Sequence, residues 1–363
     1  MSLDMSGKHC VFVIGMHRSG TSAVAEVLSG FGLHFGRDLL GANEWNPHGH
    51  FESLPFVRLN DTLLAAGDAH WHTLFPSLPD LESMLDRFRA QALKVLEEDF
   101  GGESVIAVKD PRLCRLLPFW RAVLEEAEYR LSYLLVVRHP YACAESLLRR
   151  DRFENLKSYW LWGSYLLEAL QAVDPSASFL VHYETLIDDP AREQERIRTW
   201  LGDQVGLLTL PAGSVESQTV DSALSHASCS ALDFQLPHFV ARLYQCLQLP
   251  DPFLNIEAWL PDLLALANSD QQEDLPRLLA LVEREVERKD RMVAHYEQET
   301  ANAQNEIEEL VAEIAHARHT IDGLVAEIDR AREAHAERDR READFLARIR
   351  ELECESAHGN RYP

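Results

Sequence analysis

Three short stretches set polar side chains where chemistry can use them. "GMHRSGTSAV", Gly15 to Val24, keeps the glycine spacing of a nucleotide-triphosphate loop, G-x-x-x-x-G-K-[ST], but has Thr21 where the lysine belongs. Successive amides from Gly15 to Ser22, the hydroxyls of Ser19, Thr21 and Ser22 and a helix N-terminus make an anion nest, with Arg18 its only fixed positive charge. A γ-phosphate and its magnesium lack their usual lysine and strand-end carboxylates, so a single 5′-phosphate bearing some other group suits the loop better. In "VKDPR", Lys109 leaves an apolar run, a place where a lysine is costly to bury unless it meets an anion; Asp110 either pairs with Arg112 or orients Lys109. In "VVRHPYACAESLLRR", Arg138 leaves another such run and Ser146 follows on a helix begun by Pro140. An arginine fork and a hydroxyl can grip a second phosphate.

These side chains need a frame that brings strand ends together. Val11–Ile14, Val105–Val108, Leu131–Val137 and Phe179–His182 are short unbroken apolar runs, the pattern of buried parallel strands. Helical periodicity separates them over Ser22–Ser29, Leu81–Glu98, Leu117–Glu128, Pro140–Arg150, Phe153–Val173 and Ala191–Leu201. The sequence therefore predicts an α/β fold, a P-loop-like doubly wound parallel sheet flanked by helices, with ligands at the strand C-terminal ends. From about 203 to 280, Pro211, Pro237, Pro250, Pro252, Pro261 and Pro276 are expected to bound or cut short helices that cover the sheet. Together these make a domain over 8–280. A coiled coil is expected over 281–355 and a disordered tail over 356–363. Ile307, Leu310, Ile314, Ala317, Ile321, Leu324, Ile328 and Ala331 recur at alternating steps of three and four, and the register continues through polar His335, Arg338 and Glu342 to Phe345, Ile349 and Leu352. Isoleucine at a with leucine at d favours a parallel two-stranded form, hence a homodimer; docking on another coiled coil and folding back on the domain are the alternatives.

Composition narrows the partners. A net charge of −24 over 363 residues excludes wholesale nucleic-acid binding, so the arginines matter by position. The 6 cysteines form no Cys-x-x-Cys, which offers no zinc motif and suits a reducing compartment. The apolar stretch before the loop is too short for a signal peptide or a membrane span, and a cytoplasmic protein is expected.

Taken in order, strand–GxxRSGTS–helix, Lys109 at a strand end, and Arg138 with Ser146 resemble the sulfotransferases that use 3′-phosphoadenosine 5′-phosphosulfate (PAPS). The bacterial and carbohydrate-modifying branches, with loops like "NPHGHFE" and "KDPR", are especially similar. The likeness runs from about 10 to 202 and closes with "HYETLIDDP", His182 to Pro190. It implies that Gly15, His17, Arg18, Ser19, Gly20, Thr21 and Ser22 hold the 5′-phosphosulfate and that Arg138 and Ser146 hold the 3′-phosphate. It also implies in-line attack of an acceptor hydroxyl or amine on sulfur, with Arg18 and Lys109 stabilising charge on the bridging oxygen. That chemistry demands no metal. Where some family members use histidine as the base, this chain has Lys109-Asp110-Pro111, so a carboxylate base is expected: Glu52 first, then Glu44, with His48, His50 and Asp110 behind. The Arg-Lys-Gly segment that clamps the nucleotide in cytosolic members has no counterpart after Leu201; "DSALSHASCS", Asp221 to Ser230, falls in that region.

For the acceptor, Trp71, Arg149, Arg150, Arg152, Tyr159, Trp160 and Trp162 are candidates to line a sugar- or anion-binding cleft, although Trp160 and Trp162 cannot share one helical face. A cell-surface glycan precursor is the first expectation for the acceptor. The competing readings are a P-loop kinase or NTPase and an inactive coiled-coil scaffold.

Overall fold

The computed structural model describes residues 7–43, 46, 49–206 and 236–359. Four strands form one parallel sheet: β1 (Lys8–Ile14), β2 (Val105–Lys109), β3 (Tyr129–Val137) and β4 (Ser178–His182), in the order β2-β1-β3-β4. Alternation along β1 sets its two faces. Cys10, Phe12 and Ile14 enter one apolar cluster, Val11 and Val13 another, and all five are fully buried. A strand buried on both faces needs helices on both sides.

On the Val11/Val13 face lie α1 (Thr21–Gly30) and α8 (Pro190–Val205), which contribute Val24, Leu28, Ile197 and Leu201. The opposite face is covered by α2 (Leu54–Ala65), α3 (Leu81–Phe100), α4 (Leu113–Glu126), α5 (Pro140–Asp151) and α6 (Asn155–Ala172). The chain runs from β1 out to β2, then returns to the other side of β1 for β3. That reversal lies between β1 and β3, where a parallel sheet opens its ligand crevice. The loop after β1 and the Arg138 segment after β3 therefore flank one crevice.

Two helical expectations need correction. The helix after Lys109 begins at Leu113, not Leu117, and holds Pro118 inside it, because Leu113, Leu116, Leu117 and Trp120 bury together on one face. Pro261 and Pro276 do not cut the late segment into short pieces. After α9 (His238–Leu247), a single helix, α10 (Ile256–Gly359), runs through both prolines. Tertiary contacts offset the missing proline amides: Leu263, Leu278 and Leu281 are buried, Asp270 Oδ2 accepts from the Phe239 amide at 2.7 Å, and Asp274 Oδ2 accepts from Trp160 Nε1 at 3.0 Å. The chain divides into two units, Met1–Val282 and Glu283–Pro363. The second is the distal part of α10, which continues as helix to Gly359, past the expected start of a tail at 356; residues 360–363 lie outside the described residues.

Candidate active site

The loop from Gly15 to Gly20 is held by contacts that leave no room for larger residues. A Cβ on Gly15 would run into the Val136 carbonyl of β3 and the Ser19 hydroxyl. Gly20, at φ +93°, caps α1 and sits against the ring of Tyr183, so a side chain there is excluded by both backbone and neighbour. Arg18 takes the left-handed conformation without being glycine, at φ +69°. The Ser19 hydroxyl donates to the Met16 carbonyl at 2.6 Å and is buried, so it braces the loop. No acidic residue occupies the first turn of α1, so its amide ends and dipole are open to an anion.

Lys109, the last residue of β2, points into the same space. Its Nζ lies 2.5 Å from Glu52 Oε1 and donates to Ser22 Oγ at 3.2 Å. Both charged side chains are buried, at 2% and 8% exposure, so each depends on the other. Glu52 precedes Ser53, whose hydroxyl caps α2 by accepting from the Phe56 amide, and Pro55 stands in the first turn. That entry fixes the Glu52 backbone. Burial raises the Glu52 pKa, and Lys109 pulls the other way with its charge and hydrogen bond. Asn46 donates to Ser22 Oγ at 2.9 Å, so the hydroxyl accepts from two sides and, among the described residues, keeps its proton to give.

Asp110 has a different occupation. It is fully buried; Oδ2 accepts from Asn60 at 2.9 Å, and Oδ1 accepts from the Arg112 amide at 2.9 Å and the Arg112 guanidinium at 3.0 Å. Asn60 in turn accepts from Trp120 Nε1 at 2.6 Å. With both oxygens engaged, Asp110 is a bracket for the "KDPR" turn. Arg112 also donates to Asp61 at 2.7 Å and approaches Glu52 Oε2 at 4.0 Å.

Across the switch point, Arg138 leaves β3 and donates to the Arg18 carbonyl at 3.3 Å, while its guanidinium lies 4.7 Å from the centre of the Tyr183 ring. Ser146 lies on α5, where its hydroxyl accepts from Arg18 Nε at 2.8 Å. The structure thus brings Arg18, Arg138 and Ser146 into one cluster. α7 (Tyr183–Asp188), directly after β4, adds Glu184, whose carboxylate accepts from the His139 amide at 2.9 Å.

A profile of the sulfotransferase family matches residues 10–205, more than half of the chain. The chain belongs to the sulfotransferase family. Among solved structures it is similar to the sulfotransferase domain of the Synechococcus PCC 7002 olefin synthase, at 17% identity and a TM-score of 0.40 over 68% of this chain and 96% of that one. It is also similar to the sulfotransferase domain of the curacin biosynthetic pathway, at 16% identity and a TM-score of 0.40 over 66% of this chain and 96% of that one. No curated protein sequence matches the chain.

The sulfotransferase crevice is strongly cationic despite the acidic protein around it. Burial, then the charges of Arg112, Arg150, Lys109 and Arg115, push His17 well below the usual histidine range; burial, then Lys109, Arg150 and Arg18, push His50 down to about 4. Both rings are neutral at pH 7. His17 packs on Trp71, ring centres 4.3 Å apart, and Arg150 lies 5.4 Å from the Trp71 ring centre. Trp71 is only partly buried and borders the crevice. Tyr159, Trp160 and Trp162 do not: all three are buried core residues, at 5%, 2% and 0% exposure. α6 is buried almost all round, so the two tryptophans need not share a face, and they leave the acceptor cleft. Arg149 is on the exposed side of α5, while Arg150 is half-buried and pairs with Asp151 at 2.7 Å.

Glu44, His48 and the segment Asp221–Ser230 lie outside the described residues. The sequence reading missed Asn46, Asn60 and Tyr183 as parts of the site. Asn60 had a signal, a polar residue on the apolar face of "LPFVRLNDTLL". Among the described residues no cluster of three or more His, Cys, Asp or Glu is placed to hold a metal, and no helix is long and apolar enough to cross a membrane.

Proposed function

We propose that this sulfotransferase moves the sulfuryl group of PAPS to a hydroxyl of a glycan acceptor, with Glu52 as the base. The observation that carries the reading is the buried Lys109–Glu52 pair joined to the phosphate loop through Ser22. It sets one carboxylate and one fixed cation at the mouth of an anion nest, where proton removal and charge stabilisation are needed together. PAPS supplies the sulfuryl group and leaves as 3′-phosphoadenosine 5′-phosphate. Loop amides, the Ser22 hydroxyl and Arg18 bind the 5′ end; Arg138 and Ser146 bind the 3′-phosphate. The loop suits such a group, since the first turn of α1 carries no acidic residue and its amide ends are open to an anion. Glu52 Oε1 takes the acceptor proton as the acceptor oxygen bonds to sulfur and the bond from sulfur to the bridging oxygen breaks. Lys109 Nζ then faces the negative charge left on that oxygen. Trp71 offers an aromatic face to a sugar ring and Arg150 a cation to an acidic substituent. The four described buried cysteines, Cys10, Cys114, Cys143 and Cys246, are unpaired thiols, in keeping with a cytoplasmic setting.

The deciding experiment is a melting-temperature series with 3′-phosphoadenosine 5′-phosphate and with ATP-magnesium, on the native chain and on Arg138→Ala. A ligand that binds only the folded state at 100 times its Kd stabilises by about 2.7 kcal/mol. The expected result is a shift with the bisphosphate alone that shrinks in Arg138→Ala. A larger shift with ATP-magnesium would overturn the donor assignment in favour of a nucleotide kinase or NTPase.

A further inference from the structure

The second unit, Glu283–Pro363, presents an apolar stripe with nothing on it among the described residues. Ile307, Leu310, Ile314, Ile321, Leu324 and Ile328 are 51–66% exposed, which no lone helix in water maintains without a partner. With Ile307 at a and Leu310 at d, the charged residues flanking the stripe are segregated by sign. Glu306, Glu313 and Glu327 fall at g, with Thr320 between them, and Arg318 and Arg332 fall at e, alternating with Val311 and Val325.

That segregation discriminates between occupants. Parallel in-register helices set each g residue against the e residue of the next heptad on the partner, which gives Glu313 facing Arg318 and Glu327 facing Arg332, each twice per pair of helices. An antiparallel pair of the same helices sets g against g and e against e, so glutamates meet glutamates and arginines meet arginines. Arg332 has an in-helix partner, Asp329, at 3.5 Å; both side chains are well exposed, and such a pair exchanges at little cost. Farther on, Arg348 at g and Glu353 at e repeat the complementarity with the sign reversed. From these placements we infer that the occupant of this face is a second copy of the chain, in a parallel, in-register, two-stranded coiled coil centred on residues 306–332. Over that span the contact runs for about 40 Å. His335, Arg338 and Glu342 then meet their own copies, a polar layer that costs stability and fixes the register against a slip of one heptad.

Light scattering on the full chain should give the mass of two chains at micromolar concentration. Glu313→Arg with Glu327→Arg sets arginine against arginine, weakening association on the order of tenfold to a hundredfold. Adding Arg318→Glu and Arg332→Glu should restore it. All four side chains lie on an exposed helix, and donor-induced melting shifts of the first unit report its integrity separately. For orientation, Leu310→Cys in a Cys229→Ser, Cys354→Ser background should crosslink to its own copy under diamide. A monomer, a mass above two chains, or charge-reversed variants that associate as well as the native chain would each overturn the inference. So would crosslinking of Leu310→Cys to Ile328→Cys but not to itself, which is the antiparallel signature.

Discussion

Replacing Lys109 with methionine separates what the Lys109–Glu52 pair does for folding from what it does for transfer. The lysine is 2% exposed and its partner 8%, at 2.5 Å, so methionine fills the volume and strands a buried carboxylate. Removing one member of such a pair costs about 3–5 kcal/mol, equivalent to roughly 10 °C in melting temperature for a domain of this size. The cost depends on pH. Burial already raises the Glu52 pKa against the opposing pull of Lys109, and without the lysine it rises further. The folded state then binds a proton that the unfolded chain, near pH 4.5, releases. The deficit against native protein is absent below the raised folded pKa of Glu52 in the native protein, grows as pH rises from there to its still higher folded pKa in the variant, and is level above that. A 3 kcal/mol deficit corresponds to about two pH units of extra shift. The companion variant Lys109→Met/Glu52→Gln removes the charge altogether and should recover most of the stability while leaving transfer at least a hundredfold down. The assay is urea unfolding from pH 5 to pH 9 for the four members of the cycle, with single-turnover sulfuryl transfer alongside. A Lys109→Met deficit that is independent of pH would refute the buried-pair argument; native transfer rates in the double variant would refute the catalytic one.

Three other outcomes follow from named contacts. Gly20→Ala should abolish donor-dependent melting shifts and cost more than about 1 kcal/mol, because alanine must adopt φ +93° and displace the Tyr183 ring; calorimetry with and without 3′-phosphoadenosine 5′-phosphate reads both. Trp162→Ala should cost about 3–5 kcal/mol as a core cavity, whereas Trp71→Ala should change stability little and raise the acceptor KM; equal stability losses would return Trp162 to the cleft. His9, buried with Nε2 2.9 Å from Ser132 Oγ, is held down to about 4 by burial and then Arg130. Its folded pKa lies below the unfolded value of 6.5, so its stability contribution is complete above pH 6.5 and lost as pH falls towards 4, to about 3 kcal/mol in all. His9→Gln should flatten that stretch of the stability profile.

The frame was readable because its signals are local. Four short apolar runs became four strands, and the loop between β1 and α1 was marked by Gly15 and Gly20, whose contacts with Val136 and Tyr183 show why glycine is required. The pairing of Arg112 with Asp110 was likewise one of two local options. What escaped depends on contacts between distant residues. Nothing near Pro276 reveals that Asp270 and Asp274 will be pinned by Phe239 and Trp160. Nor does the "WLW" stretch reveal that α6 is buried on nearly every side. Nor does the loop sequence reveal that the Ser19 hydroxyl donates to the Met16 carbonyl.

The Tyr183 ring has a consequence for selectivity. One edge abuts Gly20 at the start of α1 and its face carries the Arg138 guanidinium, so one ring braces both the phosphate loop and the arginine that the proposed assignment gives to the 3′-phosphate. The two grips also meet directly, through Arg18 and Ser146. On that assignment a nucleotide with all its phosphates strung along one end leaves Arg138 without its 3′ partner.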